Sequence, residues 1–94
     1  MKLNKIVALL DIIGDLLLCK MRDNYYIDIY SDENSIVVES EDLVVTLKKS
    51  KNDKVFIKIE HPLGEWRFYA NKKELEENLK NTKFAKLFVK LINL

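Results

Sequence analysis

Glutamine is absent from this 94-residue chain, cysteine, histidine and proline occur once each, and glycine occurs twice. Each scarcity excludes something. The lone Cys19 cannot close an internal disulfide, and small secreted domains usually need several, so a reducing cytoplasm is the expected location. A Cys/His nucleophile pair would require Cys19 and His61 in one cleft with an orienting third group. A structural zinc site wants about four ligands, and neither residue has companions of the right type nearby in the chain. With two glycines there is no glycine-rich loop to cradle a phosphate, and no Asp/Glu-x-Lys tripeptide of the metal-nuclease kind occurs. No cofactor, metal or catalytic residue is expected.

Long hydrophobic runs are missing too. The longest uncharged apolar stretch, Ile6 to Leu10, is far short of the roughly twenty residues that span a bilayer. Lys2 and Lys5 precede it as in a signal peptide, but Asp11 and Asp15 interrupt the next ten residues and no small-residue cleavage site comes after. A soluble protein without integral membrane association is the expectation. The net charge of +1 gives no bulk attraction to nucleic acid or to anionic lipid, so any such binding has to rest on local segregation.

The chain does carry strong periodicity. Between Leu3 and about Lys20 the positions Asn4, Ala8, Asp11 and Asp15 fall at spacings of four, three and four, one narrow stripe on a helix that is otherwise apolar. Gly14 costs about 1 kcal/mol relative to alanine inside a helix. A competing reading therefore stops the helix there and makes Leu16–Met21 a strand. From Tyr25 to Tyr69 the period changes to two, in five short runs rich in β-branched and aromatic residues. Tyr25, Ile27 and Ile29 are expected to face the core, as are Leu43, Val45 and Leu47, then Val55, Ile57 and Ile59, and finally Trp66 and Phe68. The punctuation between runs is only a few residues long. That permits antiparallel hairpins and excludes parallel crossovers.

Asn71 followed by Glu74 predicts a helix N-terminus with a capping box. Leu75 and Leu79 lie roughly 160° around a helix from Phe84, Leu87, Phe88 and Leu91, so a break is expected near Asn81 and Thr82. A second helix would then run from Thr82, with Lys83, Lys86 and Lys90 as a cationic stripe. The expected fold class is α+β over a single domain, residues 1–94: an N-terminal helix, an antiparallel β-meander of about five strands, and one or two C-terminal helices. A chain of this size buries roughly 60–65% of its unfolded surface. Two greasy terminal helices exceed what that small core can hide, which points to a homodimer, the commonest assembly.

Charge is segregated. Residues 23–42 carry seven carboxylates and no lysine or arginine, whereas residues 43–58 carry five lysines and one aspartate. The first block suggests an acidic surface for a basic protein partner, formed by Tyr26, Asp28, Tyr30, Asp32, Glu33 and Glu39. Such a partner could be a nucleic-acid-handling protein that this chain inhibits or adapts. The second block suggests an alternative, a platform for single-stranded nucleic acid made by Lys48, Lys51, Lys58 and Arg67 with Phe56 and Tyr69 to stack bases. A plainer explanation is that opposite charges set strand pairing and keep the protein soluble. Tyr26, Tyr30, Val37, Val44, Phe56 and Tyr69 should share the second sheet face, to be covered by a terminal helix or offered to a partner.

Overall fold

A computed structural model describes residues 2–82. Helix α1 (Leu3–Arg22) is followed by β1 (Ile27–Ser31), β2 (Ser35–Ser40), β3 (Val44–Lys49), β4 (Lys54–His61), β5 (Gly64–Asn71) and α2 (Lys72–Leu79). The strands form one antiparallel meander in the order β1-β2-β3-β4-β5. This is the α+β fold that the periodicity predicts. The expected second C-terminal helix, with its lysine stripe, lies outside the described residues.

Helix α1 runs through Gly14 because the apolar stripe does. Ile6, Leu10, Ile13 and Leu17 recur at spacings of four, three and four, and all are buried. A strand from Leu16 would have broken that stripe. The helix ends at Asn24, whose φ of +61° is a left-handed conformation that asparagine tolerates. Asn24 N–H donates to Met21 O and Tyr25 N–H to Lys20 O, the paired bonds of a Schellman terminus. Asn52 and Asp53, at φ +61° and +56°, turn the chain in the same way between β3 and β4.

One face of the sheet packs on the helices. Ile36, Val38, Leu43, Val45, Leu47, Val55, Ile57, Ile59, Phe68 and Ala70 join the α1 stripe and Leu75 and Leu79 of α2 in one core. Two expected core residues sit at its margin. The register sets Ile29, Val38, Val45, Ile59 and Trp66 in one row across all five strands. The middle three are buried, but Ile29 is 40% and Trp66 41% exposed. Five strands span about 19 Å, and a helix about 10 Å wide cannot roof both ends of that row. Tyr25 falls ahead of β1 and is exposed, with the Lys20 ammonium 5.7 Å from its ring. Among the described residues no helix is long and apolar enough to cross a membrane.

Candidate functional site

The outer face of the sheet, opposite α1, gathers most residues of both surfaces expected from the sequence. The pairing register writes it as rows running across the strands. Asp28, Glu39, Val44, Glu60 and Glu65 form one row, Tyr30, Val37, Thr46, Lys58 and Arg67 the next, and Ser35, Lys48, Phe56 and Tyr69 a third. Charges that are separate blocks along the chain therefore become neighbours on one surface. Among the described residues neither helix covers this face, since the strand residues that share the core with α1 and α2 all point the other way.

On the β1–β2 half, Asp28 stands directly opposite Glu39. Hydrogen bonding from Tyr30, then from Tyr26, holds the Asp28 carboxyl below its ordinary range, and it raises the Tyr30 phenol well above its own. The Tyr26 hydroxyl donates to Asp28 Oδ2 at 3.1 Å. Among the described residues no lysine or arginine reaches ion-pair distance of Asp28 or Glu39. Asp32 and Glu33 sit apart, in the β1–β2 turn. The Asp32 carboxylate accepts from Asn34 N–H at 2.7 Å, from Ser35 N–H at 2.8 Å and from the Ser35 hydroxyl at 3.1 Å. Those bonds, the two backbone ones first, hold its pKa down and make it a turn-builder.

The β4–β5 half is neutralised from within. Glu60 and Glu65 also stand opposite each other, but Lys58 Nζ bridges them at 3.4 and 3.2 Å, and Arg67 lies 3.0 Å from Glu65. Hydrogen bonding from Lys58, with the charge of Arg67 added, holds Glu65 below its usual range. Phe56 and Tyr69 face each other across the two strands with ring centroids 5.1 Å apart. Lys48 is on the same outer face, but Lys51 lies in the β3–β4 turn. Of the four candidate cations, two are thus already paired with carboxylates. Period two alone places Glu60 on one sheet face with Asp28 and Glu39, but Glu65 escapes notice in the sequence, because nothing short of the strand register shows that it continues the acidic row.

Chemistry-bearing groups elsewhere have structural work. His61 Nδ1 accepts from Leu63 N–H at 3.1 Å and so shapes the β4–β5 turn. Cys19 Sγ accepts from Arg22 at 3.6 Å. No group of three or more potential metal ligands occurs among the described residues. An open cleft of about 310 Å³ lies between the β3–β4 turn and the start of α2, lined by Asp53, Asn71, Lys72, Lys73 and Glu76. It holds none of the candidate residues. No family model, curated protein or solved structure matches the chain.

Proposed function

We propose that the protein is a non-enzymatic interaction module that receives a basic protein segment on the β1–β2 half of its outer sheet face. One contrast carries this reading. Two pairs of carboxylates stand directly opposite each other on that face. Glu60 and Glu65 have Lys58 between them, whereas Asp28 and Glu39 have no cation among the described residues. Like charges directly opposite on a sheet destabilise it, by an amount comparable to the roughly 0.2–1 kcal/mol that a favourable pair contributes. A lysine or arginine from a partner would relieve that repulsion, and the exposed rings of Tyr26 and Tyr30 beside it suit a cation as well. An inhibitor or adaptor of a protein that grips nucleic acid through basic residues fits this surface, in the reducing cytoplasm that a lone cysteine suits.

The nucleic-acid alternative is weaker on the same geometry. Lys58 and Arg67 are bound to Glu60 and Glu65, and Phe56 is engaged with Tyr69. The test uses Glu39→Lys, which places a cation opposite Asp28. Binding of a labelled arginine-rich peptide, followed by fluorescence anisotropy, should be lost in this variant, while its melting temperature rises by about 1–5 °C. Unchanged peptide binding would refute the reading. Tight, salt-sensitive binding of a single-stranded oligonucleotide by the unaltered protein would favour the alternative.

A further inference from the structure

Among the described residues β1 forms one edge of the sheet, and the ladder it makes with β2 fixes which of its backbone groups face outward. Asp32 N–H donates to Ser35 O at 3.0 Å, which marks Asp32 and Ser35 as a hydrogen-bonded pair of the β1–β2 ladder. Such pairs alternate along an antiparallel ladder, so Tyr30 and Asp28 also direct their backbone groups toward β2. Ser31, Ile29 and Ile27 therefore direct theirs outward. Among the described residues no strand meets them, because β1 is the edge of the sheet. These three outward positions carry no charge. On the opposite edge, the ladder of β5 leaves the outward groups to Glu65, Arg67 and Tyr69, and charged side chains are a common means of discouraging strand addition.

We infer that two copies of this chain pair β1 to β1 antiparallel, with Ile29 opposite Ile29 on a two-fold axis, to make a continuous ten-stranded sheet. Hydrogen-bond parity admits three registers that overlap most of the strand, centred on Asp28, Ile29 or Tyr30. The first sets Asp28 against Asp28, and the third sets Asp28 against Asp32. Centring on Ile29 instead sets Asp28 against Tyr30 and Asp32 against Tyr26, so each carboxylate faces a phenol. It is also the register in which Ile27, Ile29 and Ser31 of each copy satisfy their outward backbone groups with the same residues of the other. On the inner face it buries Ile29, which a single sheet leaves 40% exposed. The axis is perpendicular to the sheet, so both copies of α1 lie on one side, bringing the exposed Ile12, Leu16 and Met21 of each helix into a common layer.

This assembly does not depend on the proposed basic partner, because pairing at the edge does not itself cover the outer face. Sedimentation velocity on the unaltered protein should give twice the 11.1 kDa chain mass at high micromolar concentration. Ile29→Pro removes only an outward N–H and should give a monomer with an unchanged circular dichroism spectrum. Should that variant fail to fold, Ile29→Lys decides by setting two ammonium groups against each other on the axis. Tyr30→Lys discriminates the register, because it sets each new ammonium against Asp28 of the other copy. It should lower the dimer dissociation constant about 2- to 30-fold. A monomer at all concentrations, a dimer that survives both Ile29 variants, or a Tyr30→Lys dimer no tighter than the original would each overturn the inference. Because peptide binding at Glu39 is read separately, either conclusion can fail without the other.

Discussion

Lys20 Nζ lies 3.0 Å from Asp42 Oδ1, which ties the last turn of α1 to the β2–β3 turn across 22 residues of sequence. The Lys20 ammonium also sits near the Tyr25 ring, so one cation holds together the helix end, the approach to β1 and the sheet. Both partners are partly solvated, and pairs of that kind contribute about 0.2–1 kcal/mol. Asp42→Asn should therefore lower the melting temperature by only a few degrees. The loss should shrink in high salt, and a double-mutant cycle with Lys20→Met should return a coupling of that small size.

The core is where stability is concentrated. Leu10 and Ile57 are fully buried on facing layers, whereas Ile12, two residues from Leu10, is 60% exposed. Leu10→Ala or Ile57→Ala should cost about 2–5 kcal/mol, a large part of the total stability of a domain this size. Ile12→Ala should cost less than about 0.5 kcal/mol in the isolated chain. Urea denaturation of the three variants, at a concentration low enough to keep the chain monomeric, checks the ranking, and a large loss at Ile12 under those conditions would show that it packs within a single copy.

Acid should destabilise the fold in a defined window. Asp28, Asp32, Asp42 and Glu65 all have folded pKa values below their ordinary ones, chiefly through hydrogen bonds from Tyr30, Asn34 N–H, Lys20 and Lys58 respectively. A group whose pKa is depressed on folding stabilises the native state above its unfolded pKa and loses that contribution as pH falls through the folded value. Stability carried by these four is fully present at neutral pH, begins to fall near the unfolded range of about 4, and is lost below it. Melting temperature measured from pH 7 down to pH 2 should show a plateau followed by that decline. In Asp32→Asn the plateau should sit lower and the decline should be shallower.

Much of the architecture is legible in the amino-acid sequence, for identifiable reasons. The α1 stripe of Ile6, Leu10, Ile13 and Leu17 specifies one long helix over the Gly14 interruption, and period two in the middle specifies the meander. Asn71 caps α2 as expected, with Oδ1 accepting from Glu74 N–H at 3.1 Å, although no bond from the Glu74 side chain completes the reciprocal half of the box. Trp66 departs from expectation because alternation identifies a face and says nothing of how far the helix layer reaches across it. The left-handed turns at Asn24 and Asn52-Asp53 are signalled only by residue types that many loops share. The outer surface is the least legible part. Asp28 against Glu39, and Lys58 between Glu60 and Glu65, are relations between strands, fixed by a register that a local charge count does not contain.

The pair at Asp28 and Glu39, which no cation among the described residues offsets, can be tested most directly by titrating isotopically labelled protein with an arginine-rich peptide, following every backbone amide by NMR. Shifts should concentrate on Tyr26 to Tyr30 and Val37 to Glu39 and should vanish in Glu39→Lys. Shifts centred instead on Lys48, Lys51 and Lys58, or no shifts at low salt, would contradict a basic-partner site on the β1–β2 face.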